Sequence, residues 1–527
     1  MTRYVLGVDL GTSGPKVALV TTGGEVLDHD TEKVGLILLP KGGAEQDPAE
    51  WWRAIVACTR RLVERNPDAA EHVTALCMSS QWGGLVPVDA RGNHLHNALI
   101  WMDARGVDYA EQLTSGGLTV PGAGYNARGL REWISLSGGA PSRSGKDPVG
   151  QAQFLRHERP EVYAATAYLL DVPEYLTMRA SGRAVATYDT AALRWATDNR
   201  DPSVVRWDPA LVRRSGFDLA KLPELVPPAT VVGTLLPEVA SELGLSTDVR
   251  VVAGTGDTTS AAIGAGAVAD YAGHLYIGTS AWLSAHVPYK RTDVLRGIAS
   301  LPAVVPHRYW IATVQEAAGK AIEWLLDTVI YPADGMLEEG ARPDDALDRL
   351  NALAASAPPG SNGVLFAPWL NGERTPVDDP YVRGGWHNVS LSTTRADLTR
   401  AVFEGIALNV RWMKETVERF TRKEMPGGFS ELTFVGGGAR SPLWCQVLAD
   451  VLGCAIKQAK DPVLANARGA GLIASVGIGE ITWGEISGCV EIDAVYHPDP
   501  SRKALHDRQF RRLIAMYRKT RRLSVGS

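Results

Sequence analysis

Two short stretches half a chain apart share residue types in the same order. Leu10-Gly11-Thr12-Ser13 closes an apolar run that begins at Tyr4, and Ile277-Gly278-Thr279-Ser280 closes one that begins at His274. A glycine followed by two hydroxyl residues makes a tight turn. Its backbone N–H groups can point at anionic oxygens, and the missing Cβ lets a ligand come close. A carboxylate accompanies each turn. Asp9 precedes the first, and Asp257 follows the glycine turn Gly254-Thr255-Gly256 shortly before the second. Two such loops can grip a polyphosphate from both sides, with Thr12, Lys16, Thr279 and Ser280 holding the phosphates. Asp9 can orient Mg²⁺ through its water shell, because Mg²⁺ favours carboxylates and phosphates and keeps waters. Asp257 can take the proton of an attacking hydroxyl. Phosphoryl transfer needs these three things: positioning, a divalent metal and a proton acceptor.

Two further stretches add to the set. Ser79-Ser80-Gln81-Trp82-Gly83-Gly84 is a polar, glycine-rich strand end. Gln81 supplies a donor and an acceptor for hydroxyls, and the Trp82 indole can face the C–H side of a polyol. The triple glycine Gly436-Gly437-Gly438 before Ala439 lets backbone approach a flat ligand such as a purine. No G-x-x-x-x-G-K-[ST] loop and no HRD or DFG set is present, which excludes a Walker-type ATPase and a protein kinase.

The elements that must carry these residues follow from periodicity and turn chemistry. Tyr4 to Asp9 and Val17 to Val20 read as strands, with Gly23-Gly24 as the next hairpin turn. Asp47-Pro48 starts a helix whose apolar stripe runs through Trp52, Ile55, Val56, Thr59, Leu62 and Val63, with Glu50 placed for a capping box. Val73 to Met78 is the next strand, and Trp101, Asp103 and Arg105 supply polar groups behind the site. Residues 106–148 carry little periodic signal and read as a long surface excursion. A helix over Gln315 to Asp327, a loop ion pair between Glu373 and Arg374, and a long helix capped by Thr394 complete the reading. Three segments are expected: 1–250 with the first phosphate loop and the sugar site, 251–490 with the second phosphate loop and the adenosine site, and 491–527 as a basic amphipathic helix ending near Arg522.

A chain of 527 residues holds at least two domains. Its formal net charge of −5 argues against nucleic acid as a main partner. Five scattered cysteines, with no CxxC, point to reduced thiols, a cytoplasmic setting and no structural zinc. The longest apolar region, Thr258 to Val268, is too short to span a bilayer, so no membrane role is expected.

The chain resembles the FGGY carbohydrate kinases, most closely their xylulokinase branch, along nearly its whole length. DLGTSGPKVAL at Asp9, EQDPAEWW at Glu45, AGTGDTTSAAIGAG at Ala253, YIGTS at Tyr276, NGERTP at Asn371 and GGGARSPLW at Gly436 carry the resemblance. It implies an α/β, two-domain actin/Hsp70/hexokinase-type (ribonuclease H-like) ATPase fold closing a central cleft around ATP-Mg²⁺ and an open-chain sugar. By that likeness Asp257 is the catalytic base and Asp9 the metal-side carboxylate. Gly11, Thr12, Ser13 and Lys16 line the first phosphate loop, Gly278, Thr279 and Ser280 the second, and Gly437, Gly438 and Ala439 the adenosine site. Gln81, Trp82, Gly83 and Thr258 join Asp257 at the sugar. The implied reaction converts D-xylulose to D-xylulose 5-phosphate, and a homodimer would be in keeping with the family. The departures sit at the sugar. Gln81-Trp82-Gly83-Gly84 stands where xylulokinases usually carry Gln-Met-His-Gly, Asp257-Thr258 stands for Asp-Asn, and Gly150, with Lys146 nearby, stands at a lysine-bearing helix start. Another ketose or a polyol (ribulose, erythritol or glycerol-like) is therefore an open alternative. A non-catalytic sugar sensor and a chaperone-like ATPase are alternatives of other classes.

Overall fold

The computed structural model describes residues 2–120, 123–332, 334 and 342–521. Arg522, the last of the basic residues expected on the final helix, lies outside them.

Two mixed sheets form the frame. The first uses β1 (Tyr4–Gly11), β2 (Gly14–Thr21), β3 (Val26–Thr31), β4 (Val73–Ser80), β5 (Val231–Thr234) and β6 (Arg250–Gly256), in the spatial order β5-β6-β4-β1-β2-β3. β1 runs antiparallel to β2 and parallel to β4, and β6 is parallel to β4 on its other side. The second sheet uses β7 (His274–Ile277), β8 (Ala281–Ser284), β9 (Glu431–Val435), β10 (Ala455–Ala459) and β11 (Ile492–Tyr496), in the order β8-β7-β9-β10-β11. Again a hairpin strand is followed inward by parallel neighbours. The repeated tetrapeptides are thus the outward tips of two equivalent hairpins.

Strand alternation decides what each face meets. In β1, Leu6, Val8 and Leu10 are buried with Trp51, Ile55 and Leu62 of α1 (Pro48–Arg65). Asp47 caps α1 by accepting from the Ala49 N–H, while Glu50 leaves the expected capping box and accepts from Gly35 N instead. Behind the polar loop at the end of β4 lies α2 (Val172–Ser181). The opposite face of the first sheet, with Val5, Ala18 and Val20, shares one core with Val435 and Ala459 of the second sheet. That shared layer is filled by α3 (Asp257–Gly264) and, from the end of the chain, by a helix rich in Ala and Gly, Ala465–Gly477. The two helices touch backbone to backbone: a Cβ on Gly264 would sit 1.7 Å from Ala465 O, and one on Gly469 2.0 Å from Ser260 O. Only glycine permits that approach. The far face of the second sheet packs on α4 (Gly319–Trp324), α5 (Arg395–Phe420), α6 (Pro442–Leu452) and the C-terminal helix, with Phe366, Ile406, Leu448 and Leu513 buried between them. Labelling in chain order, Ala465–Gly477 is α7 and Lys503–Thr520 is α8.

Several expectations change. β6 crosses the boundary placed at residue 250: it hydrogen-bonds to β4, so the first sheet is complete only at Gly256 and hands over directly to Asp257. The segment 491–527 is not separate, since β11 is the edge strand of the second sheet and Phe510, Leu513 and Tyr517 of α8 join the core. Residues 106–148 hold two helices, Val107–Thr114 and Ala127–Leu136. Their few buried positions, such as Leu130 and Trp133, lie among glycines and charges, which hid the period. The helix expected from Gln315 begins at Gly319, because Gln315 pairs its backbone with Ala281 like a strand residue.

Candidate active site

Both expected phosphate loops are hairpin tips, but they are braced differently. In the first, Gly11 pairs with Gly14, leaving Thr12 and Ser13 at the turn. Thr12 is held from the side and below: its hydroxyl donates to Gln81 Oε1 at 3.2 Å and accepts from Trp101 Nε1 at 3.1 Å. Gln46 Nε2 donates to Thr12 O at 2.8 Å, and Gln81 Nε2 donates to Gln46 Oε1 at 2.7 Å. Gln81 is 2% exposed, so both ends of its amide serve this network. It was expected to meet the sugar. Its visible partners tie the sugar loop to the phosphate loop. In the second loop, Gly278 N donates to Ser280 O, and the N–H groups of Ala318 and Lys320 donate to Thr279 O. The start of α4 thus backs that turn.

Asp9 and Asp257 lie close enough for the charge of Asp9 to act on Asp257. Asp9 ends β1 and is 4% exposed; across the hairpin, Lys16 Nζ lies 3.4 Å from its Oδ2. Asn466 Nδ2 of α7 donates to Asp9 Oδ1 at 3.3 Å, and Asn466 Oδ1 is buried without a partner among the described residues. Asp257 is the first residue of α3, half-buried, and its Oδ1 accepts from the N–H of Thr258 at 2.8 Å. Burial, and then the charge of Asp9, push its carboxyl up to about 7. Near neutral pH such a group exchanges a proton with little driving force either way, which suits a general base. Tyr276, stacked on Trp282 across the second hairpin with centroids 3.8 Å apart, is raised above the ordinary phenol value by burial and by both carboxylates. It marks where the second half reaches the same point.

The sugar side is aromatic. Trp82 packs over Gly256, lies 5.7 Å from the ring of Trp310 in the strand Tyr309–Ala312, and directs its N–H at Thr190 O. Trp195 joins the same cluster. The N–H groups of Gly83 and Gly84 donate to Asp171, the N-cap of α2, which fixes the loop. Thr258 lies beside Asp257, with its hydroxyl buried and without a partner among the described residues. Lys146 is exposed. Sequence reading missed Trp310 and Trp195, whose only signal was their residue type. It also misjudged Glu373. That residue does not pair with Arg374: it is buried and accepts from Asn409 Nδ2 at 2.6 Å, while Arg374 pairs with Glu316 and lies over the Trp101 ring from across the cleft.

Gly437, Gly438 and Ala439 follow β9 as a single helical turn, with Gly437 exposed. Ser441 caps α6 by accepting from Trp444 N. Exposed backbone here can meet a flat ring at the C-terminal end of β9, the middle strand of the second sheet. For a divalent cation, the oxygen donors present are the Asp9 carboxylate and the free Asn466 Oδ1. They fit a hard ion that keeps most of its waters. No cluster of three or more His, Cys, Asp or Glu exists among the described residues. No described helix is long and apolar enough to cross a membrane.

Models of the FGGY family of carbohydrate kinases match twice, the N-terminal domain over residues 4–264 and the C-terminal domain over 273–478. A xylulose kinase of Staphylococcus epidermidis is 30% identical over 532 residues, covering 99% of this chain and 98% of that protein. A gluconokinase of Bacillus subtilis is 25% identical over 452 residues, covering 86% and 83%. Among solved structures, a gluconate kinase from Lactobacillus acidophilus superposes with a TM-score of 0.83 at 22% identity, over 99% of each chain, which supports the two-domain kinase fold expected from the motifs. The chain belongs to the FGGY family of carbohydrate kinases.

Proposed function

We propose that the chain transfers the γ-phosphoryl group of ATP to a hydroxyl of a small open-chain sugar, D-xylulose, giving D-xylulose 5-phosphate. The observation that carries this reading is Asp257, held at the head of α3 with its carboxyl pushed up to about 7. The sugar lies between Trp82 and Asp257, with Thr258 and the Gly83 turn beside it. Asp257 takes the proton of the attacking hydroxyl as its oxygen bonds to phosphorus. The two hairpins hold the phosphates, with Lys16 next to the first. ATP is the donor that FGGY kinases use, and Gly437 to Ala439 border its adenosine. Asp9 and Asn466 Oδ1 would hold Mg²⁺, which when bound neutralises charge on the transferring phosphates. Cleft closure excludes water, so that the sugar rather than water is phosphorylated.

A second reading has its own support. The Trp82, Trp310 and Trp195 wall and the Gly83-Gly84 turn present mostly apolar surface, which favours another ketose or a polyol with fewer contacts to make. The test is ADP release with ATP-Mg²⁺ over a panel of ketoses, aldonates and polyols, with Asp257→Ala alongside. A D-xylulose signal lost in the variant supports the first reading. A signal on another sugar alone moves the substrate and keeps the chemistry. No sugar-dependent signal turns the reading toward a sensor or a chaperone-like ATPase.

A further inference from the structure

The helix that begins with Asp257 has a weak start of its own. Its N-cap is Gly256, which has no side chain to accept from the exposed N–H groups of the first turn. A carboxylate from a distant segment braces this junction through other donors. Asp189 precedes the short helical stretch Thr190–Arg194 and is 1% exposed. Its Oδ2 accepts from the Thr255 hydroxyl at 2.6 Å, the Thr259 hydroxyl at 3.0 Å and Gly256 N at 3.4 Å. The two threonine hydroxyls are 2.6 Å apart, and Thr259 also reaches Gly256 O at 2.9 Å. Thr255 and Gly256 are the last residues of β6, and Thr259 lies in the first turn of α3. One carboxylate therefore clamps the strand end and the helix start on either side of Asp257. A buried carboxylate is costly unless hydrogen bonds compensate it; Oδ1 is buried with no partner among the described residues, and the donors to Oδ2 all lie at the junction that aims the reacting group.

We propose that Asp189 is a positioning residue for the phosphoryl transfer: it fixes the β6–α3 junction so that Asp257 points at the acceptor hydroxyl. This rests on the reading of Asp257 as the base. Full activity in Asp257→Ala would break that reading by itself, whatever Asp189 does. The clamp works through accepted hydrogen bonds, so an amide oxygen in the same place can replace it.

The experiment measures kcat and both KM values for the intact protein on its best panel substrate, with active sites counted by calorimetric ADP binding. Asp189→Ala should lower kcat about 30-fold per nucleotide-binding site with sugar and ATP KM within about twofold, the pattern of an interaction lost in the transition state alone. Asp189→Asn should recover kcat to within about threefold of the parent, since its Oδ1 still accepts from both threonines. Thr259→Val should lower kcat, and adding it to Asp189→Ala should cost little more, because residues acting as one unit are not additive. The proposal is overturned if Asp189→Ala keeps kcat within about twofold, if Asp189→Asn falls as far as Ala, or if the Asp189→Ala and Thr259→Val losses simply multiply. If Asp189→Ala does not fold, Thr259→Val and Asp189→Asn still decide it.

Discussion

The two halves build the same hairpin on the same strand order and equip it differently. In the first, Asp9 lies opposite Lys16 two pairs below the Gly11–Gly14 pair that closes the turn, an ion pair beneath a loop braced by Gln81, Gln46 and Trp101. In the second, Tyr276 lies opposite Trp282 one pair below the Ile277–Ala281 pair that closes the turn, stacked rings beneath a loop braced by backbone at the start of α4. Both keep the glycine and the hydroxyl residues expected at a phosphate loop. The two hairpins thus share their turn residues and differ in the strand pairs beneath them. Charge is concentrated on the first sheet, where Asp9 and Asp257 face each other. Burial, and then the charge of Asp9, raises the cost of ionising Asp257.

The largest effect should come from breaking the charged side. Asp257→Asn is expected to lower kcat by about 10³-fold or more, read as ADP release, while ADP binding measured by calorimetry stays near the parent value. The same variant should melt higher than the parent, because it removes a buried charge held near a like one; scanning calorimetry checks this. Asp9→Asn should follow, with kcat down by about 10²-fold and a weakened response of rate to Mg²⁺ concentration.

The two loops themselves should respond unequally. A Cβ on Gly278 would meet the Tyr276 ring and hydroxyl at 2.7–2.8 Å, whereas one on Gly11 finds nothing nearer than Gly14 O at 3.7 Å. Gly278→Ala should therefore raise the KM for ATP about tenfold, and Gly11→Ala by no more than about threefold. Equal effects would mean that ligand approach, not the packing behind the turn, sets the need for glycine.

The pH dependence sharpens the comparison further. Asp257 must be ionised to accept a proton, so kcat/KM should rise with pH and level off above about 7, the value at which its carboxyl loses its proton. Lys16 opposes the effect of Asp9 on that carboxyl. Lys16→Met should move the rising limb to higher pH, read from rate profiles of the two proteins. The smallest effect belongs to the aromatic side: Tyr276→Phe keeps the stack, and kcat should stay within about threefold.

The turns, the Asp47 cap of α1 and the Thr394–Asp397 capping box of α5 were legible in the chain because each depends on residues a few positions apart. The repeat of Gly-Thr-Ser was legible for the same reason, and it marked both hairpin tips. Residue type alone also gave the carboxylates, the sugar loop and the resemblance to a kinase family. Contacts between distant segments decided the rest. β6 joined the first sheet because its partner β4 begins 177 positions earlier, at Val73 against Arg250. Gln81 turned inward because Gln46 and Thr12 met its amide, and Trp310 entered the sugar wall from the other half. Glu373 left Arg374 for Asn409, a choice set by burial, because a carboxylate removed from water takes the nearest good donor. The sequence by itself determined which groups can carry phosphoryl transfer and where the chain turns. Only the tertiary structure decided which of those groups face each other and which are occupied in holding the rest in place, because both depend on what long-range packing removes from water.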